Sequence, residues 1–108
     1  MKKSLRWGLT FAWGMVKYLH VMDDLKTKSY YRIYDASHSW LEVPIKDVRD
    51  AAGVWDKITT YSPLKRHKFY LEEDCDLYTF YKAMTDKGYT INITNINVDD
   101  FDQYLATK

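Results

Sequence analysis

Hydrophobic and polar positions change period along this chain, and the changes divide it into elements. Residues 29–34 have the aromatic and β-branched content of a strand, and residues 40–43 resume that content after the polar cluster 35–39. The pair predicts a β-hairpin with a long loop, stopped at Pro44, which has no N–H to give to a ladder. Residues 45–52 read as a short helix with Val48, Ala51 and Ala52 on one side and Gly53 as its exit. Two further strands are predicted at 58–61 and 68–71, separated by a turn at Ser62-Pro63.

The clearest period lies in residues 75–87. Leu77, Phe80, Tyr81 and Met84 fall at i, i+3, i+4 and i+7, Glu73 or Asp74 precedes them as a cap, and Gly88 follows as a left-handed exit. In residues 89–94, Tyr89, Ile91 and Ile93 alternate with Thr90, Asn92 and Thr94, which is the pattern of a last strand. Asn97 and Asp100 then resemble the cap of a short terminal helix carrying Val98, Phe101, Tyr104 and Leu105. This order predicts an α+β fold: a small, mainly antiparallel, four- or five-stranded sheet with helices packed on one face, the 75–87 helix lying across it.

Upstream the period is ambiguous. Leu5, Trp7, Leu9, Phe11, Trp13 and Met15 alternate with smaller or polar residues as in a half-buried strand, while Leu5, Leu9, Ala12, Val16 and Leu19 form a helical stripe. Gly8 and Gly14 would each cost a helix about 1 kcal/mol, so helix is expected only over residues 16–25 and residues 5–15 stay open between the two.

A chain of 108 residues supports one hydrophobic core, not two. The reading is a single α+β domain at 29–108 behind an N-terminal extension at 1–28. Aromatic residues are abundant, with Tyr at 10 in excess over Phe at 4 and Trp at 4. Tyrosine packs its ring while its hydroxyl stays wet, which suits half-exposed sheet faces and partner surfaces.

Net charge of +1 gives no global attraction to nucleic acid or anionic membrane. The charge is unevenly placed: residues 1–34 hold seven Lys/Arg against two Asp/Glu, and residues 72–108 hold three against eight. These ends could form two binding faces or attract each other within the fold. The single Cys75 excludes an internal disulfide and fits a reducing cytoplasm. Arg6, Lys17 and His20 interrupt the apolar stretch near the start, and no small-x-small cleavage site follows it, so neither a membrane span nor a signal peptide is expected.

Two segments carry a resemblance. Tyr34-Asp35-Ala36-Ser37-His38-Ser39-Trp40-Leu41-Glu42-Val43-Pro44 and Tyr70-Leu71-Glu72-Glu73-Asp74-Cys75-Asp76 resemble segments of a group of small uncharacterised proteins of tailed phages and prophages. In that group the first run is commonly Asp-Pro-Gly-His-Gly-Trp-Leu. Asp35, His38, Trp40 and Leu41 match it; Ala36, Ser37 and Ser39 do not, and the loss of both glycines alters the backbone freedom of the loop. The resemblance begins near Tyr30, so it does not cover the extension.

Several residues are chemical candidates. His38, between Asp35 and Trp40, could be an imidazole oriented by a carboxylate, or a solvated turn residue beside a core tryptophan. Glu72, Glu73, Asp74 and Asp76 could hold a hard cation, although their spacing is not that of an EF-hand and acids at a helix start are favoured without metal. Cys75 in the same turn is flanked by acids that oppose a reactive thiolate. Lys65, Arg66, His67 and Lys68 form a basic run without a glycine-rich phosphate loop. No P-loop, dinucleotide fingerprint, serine elbow or Cys/His metal pattern is present in the sequence.

The expectation is therefore a non-enzymatic phage accessory protein, without cofactor or metal, that binds a host or phage protein and acts on a function such as a host defence system. The alternative is a small-ligand or nucleic-acid binder using Asp35, His38 and Trp40 together with Lys65, Arg66 and Lys68. Convergence of these two groups on one pocket would favour the alternative.

Overall fold

The computed structural model describes residues 26–51 and 53–108. The alternation at 5–15, the helix expected at 16–25 and Ala52 lie outside the described residues. The elements run β1 (Thr27–Tyr34), β2 (Ser39–Pro44), α1 (Ile45–Asp50), a 3-10 turn (Trp55–Lys57), β3 (Leu64–Lys65), β4 (Lys68–Glu72), α2 (Asp76–Asp86), β5 (Thr90–Asn97) and α3 (Phe101–Ala106). They form one five-stranded sheet in the order β3-β4-β2-β1-β5, antiparallel except for the parallel β1 and β5 pair. The α+β class and the mainly antiparallel sheet are those the sequence predicts.

Strand parity divides the core in two, because alternate side chains point to opposite faces. On one face Tyr30, Leu41, Val43, Phe69 and Leu71 pack with Val48 of α1 and with Phe80 and Met84 of α2. Phe80 is fully buried and meets Tyr30 edge-on at 5.6 Å, a burial that contributes about 2–3 kcal/mol. On the other face Ile33 and Tyr70 join Phe101 of α3, with Trp40 and Ile96 packed around them. Thus α1 and α2 share the expected face, and α3 adds a cover to part of the opposite one.

Local boundaries differ from the sequence reading for identifiable reasons. Helix α1 ends at Asp50 and not at 52, because Ala51 adopts an extended conformation (ψ 126°) that turns its buried methyl and Val54 into the core. It is anchored by Tyr30, whose hydroxyl donates to Asp47 Oδ2 at 2.7 Å. Burial first, and then Asp47, pushes the Tyr30 phenol far above its ordinary range.

The strand expected at 58–61 does not form. Thr59 gives its backbone N–H (2.9 Å) and its hydroxyl (2.8 Å) to Asp76 Oδ2, so the segment is tied to the start of α2. Ser62 donates to the same oxygen at 2.5 Å and accepts from the Glu72 N–H. The hairpin partner of β4 is instead the two-residue β3, and the turn falls at Arg66-His67 in place of Ser62-Pro63.

Strand β1 starts at Thr27, two residues before the predicted 29, and β5 continues to Asn97, three residues past the predicted 94. Parallel pairing explains both extensions, since Thr27 through Tyr34 match Thr90 through Asn97 residue for residue. The Thr90 N–H to Lys26 carbonyl bond (2.7 Å) and the Val98 N–H to Tyr34 carbonyl bond (2.9 Å) close the two ends. Gly88, at φ +92°, supplies the predicted left-handed exit from α2. No helix among the described residues is long and apolar enough to cross a membrane.

Candidate binding surfaces

The loop between β1 and β2 is built by Asp35. Its Oδ1 accepts the N–H groups of Ser37 (2.9 Å) and His38 (3.0 Å), and its Oδ2 accepts the N–H of Phe101 (3.1 Å) at the start of α3. The His38 N–H, followed by those of Ser37 and Phe101, holds this carboxyl below the usual carboxylate range. Asp35 therefore fastens the loop to α3 through backbone donors, and it makes no hydrogen bond to the His38 imidazole. Trp40, at the start of β2, stacks on Phe101 at 3.7 Å between ring centroids and meets His38 edge-on at 6.0 Å.

The imidazole faces the acidic turn that follows β4. His38 Nδ1 lies 3.4 Å from Glu72 Oε2, 3.9 Å from Asp74 Oδ2 and 4.0 Å from Glu73 Oε1. Ladder register brings these distant segments together, since Trp40 pairs with Glu72. The Ser39 N–H donates to Glu73 Oε1, and the Glu73 N–H to the Ser39 carbonyl, both at 3.0 Å. One ligand atom from each of His38, Glu72, Glu73 and Asp74 lies within 4.8 Å of the others, a donor set of one nitrogen and three oxygens suited to a divalent cation. Asp76, which the sequence grouped with them, is buried elsewhere by Thr59 and Ser62. Nor do Glu73 or Asp74 cap α2: Cys75 occupies the cap position, where no side chain closes the first turn.

Cys75 borders the same open depression, of about 460 Å3, with His38, Trp40, Tyr61, Glu72 and Asp74. Burial, then the hydrogen bond to Glu72, pushes its thiol above the ordinary value, which keeps it protonated and opposes nucleophilic chemistry.

The basic run occupies the tip of the β3 and β4 hairpin. Arg66 takes the left-handed conformation the tight turn demands (φ 57°), and its Nε donates to the Lys108 carbonyl at 2.9 Å. Lys68 reaches Glu42 Oε1 at 3.3 Å, while the Tyr70 hydroxyl donates to Glu42 Oε2 at 2.8 Å. Both oxygens of this partly buried carboxylate are thereby engaged. Burial first, and then Glu42, raises the Tyr70 phenol. Lys65, Arg66, His67 and Lys68 rim a groove of about 480 Å3 whose apolar wall is Tyr31, Ile96 and Tyr104.

The two candidate groups do not meet. On β4 and β2, Glu72 and Trp40 stand at one end while Lys68 and Pro44 stand at the other, four ladder positions away, or about 13 Å. The depression lined by His38 and Trp40 includes none of Lys65, Arg66 and Lys68, the groove lined by those three includes neither His38 nor Trp40, and Asp35 lines neither. Nor does any ion pair among the described residues join residues 26–34 to residues 72–108.

Tyr31, Ile96 and Tyr104 were not singled out by sequence reasoning as binding residues. Their only signal is parity: Tyr31 shares a face with Ile33, and Ile96 falls out of phase with Ile91 and Ile93. No protein-family model matches the chain, and neither a curated protein nor a solved structure does so.

Proposed function

We propose that this protein acts by binding a protein partner and not by catalysis. The observation that carries this reading is the groove beside α3, where the half-exposed Tyr31 (51%) stands beside the partly buried Ile96 and Tyr104 under a basic rim. An apolar floor with tyrosines and a charged rim is the composition of a recognition surface. Burial and Glu72, which push the Cys75 thiol up, oppose a nucleophilic role for that residue. Resemblance to small tailed-phage proteins supplies the setting, an accessory protein whose target is a host or phage protein, with a host defence component as the target class.

The reading as a small-ligand or nucleic-acid binder loses its shared pocket, since His38 and Trp40 stand at the end of the sheet opposite Lys65, Arg66 and Lys68. Affinity capture from a nuclease-treated bacterial lysate tests the proposal. A protein retained by the wild type and lost with Tyr31→Ser/Lys65→Glu is expected. Retention that disappears with nuclease, or that ignores the double substitution, would overturn it.

A further inference from the structure

Charge and apolar surface within the groove specify more than a protein in general. We infer that its ligand is a short acidic peptide segment bearing an apolar side chain; this rests on the groove being the binding surface proposed above.

The cations are only partly satisfied inside the molecule. Lys65 has no ion-pair partner among the described residues. Arg66 places Nε on the main-chain oxygen of Lys108, and its terminal nitrogens make no hydrogen bond among the described residues. The Lys108 ammonium sits over the Tyr104 ring at 4.6 Å, a contact that positions a cation without neutralising it. The acidic side chain lining the groove, Glu42, is closed off by Lys68 and Tyr70, with only 10% of it exposed. An incoming carboxylate therefore meets Lys65, Arg66 and Lys108, with Glu42 as the one acidic side chain among the groove's lining residues.

Beside these cations lie Tyr31 and Ile96 on the sheet and Tyr104 on the helix, forming a wall that an apolar side chain can cover. Cations next to an apolar wall recognise an acidic peptide through its charge and its anchor together.

Continuous nucleic acid fits less well. A phosphodiester strand leaving the basic turn along α3 would reach the exposed Asp99, Asp100 and Asp102 at the start of that helix, within about 9 Å. Like charges there would repel a continuous strand, and the oligonucleotide probe below tests that.

Fluorescence anisotropy with the full chain and four labelled probes tests this: Asp-Glu-Phe-Leu-Glu-Asp, its apolar-free form Asp-Glu-Gly-Gly-Glu-Asp, its neutral form Asn-Gln-Phe-Leu-Gln-Asn, and a thymidine oligonucleotide. The first probe should bind at least about tenfold more tightly than the other three. Lys65→Glu should weaken it by a similar factor, Tyr31→Ser should remove its advantage over the apolar-free probe, and raising salt should weaken it further. Equal binding of all peptides, tighter binding of the oligonucleotide, or indifference to both substitutions would overturn the inference. If the acidic probe fails while captured protein still depends on Tyr31 and Lys65, only the ligand chemistry falls. If neither depends on the groove, the proposed function falls with it.

Discussion

Asp35 and His38 are neighbours in one loop with separate duties. The carboxylate of Asp35 accepts three backbone N–H groups and is held below its ordinary value of 3.8. A group depressed in the folded state contributes stability that is fully present above its unfolded value and lost as pH falls through the folded one. Asp35→Asn should therefore destabilise the protein at pH 7, and the gap from wild type should close as the pH drops below about 3.8. Urea melts of both proteins at neutral and acid pH check this; a gap of constant size would mean that the charge is not what matters. His38, half exposed and without a hydrogen bond from its ring, should tolerate alanine within about 0.5 kcal/mol. Trp40→Ala should cost about 3 kcal/mol through its lost stack on Phe101, and thermal melts of the two variants should rank them in that order.

Among the elements, the start of α2 organises its surroundings through one buried acid. Asp76 Oδ2 accepts from the Thr59 N–H, the Thr59 hydroxyl and the Ser62 hydroxyl. Removing it leaves buried donors unpaired, so Asp76→Ala should cost about 3 kcal/mol or more. Hydrogen exchange should quicken first in residues 59–62, and protection retained there would contradict this account of why no strand forms. Phe80→Ala should cost about 3–5 kcal/mol, since its ring is fully buried between α2 and the sheet. Residues 75–87 were legible as a helix because Leu77, Phe80 and Met84 repeat with the helical period that the sheet-facing stripe requires.

At the scale of the whole molecule, the two faces of the sheet are unequally covered. Two helices and the larger cluster close one face; the other rests on α3, held by Phe101 against Trp40 and Tyr70 and by the Asp35 bond to its first N–H. A six-residue helix has little stability of its own. Phe101→Ala should therefore release residues 98–106 to rapid exchange while the amides of β2 and β4 keep their protection. Uniform loss across the sheet would instead make α3 part of the global folding unit. The groove depends on that docking, because Tyr104 and Lys108 are brought to Tyr31 and the basic turn only when α3 is seated.

Local sequence was enough to determine the α2 helix, its glycine exit, the β1 and β2 strands, β4 and the beginning of β5, because each is encoded in the period of its own side chains. It also marked Asp35, His38, Trp40 and the basic run as chemically notable residues. Tertiary structure alone decided which of them meet. Pairing Trp40 with Glu72 across the ladder turned His38 towards Glu72, Glu73 and Asp74 and away from Asp35, and it left Lys68 at the opposite end. The parallel match of β1 with β5, the capture of Thr59 by Asp76 and the seating of α3 are likewise contacts between residues 17 to 66 positions apart. Local periodicity contains no term for such contacts, since their register is set by cross-strand packing and by the hydrogen-bonding needs of groups buried when the distant segments come together.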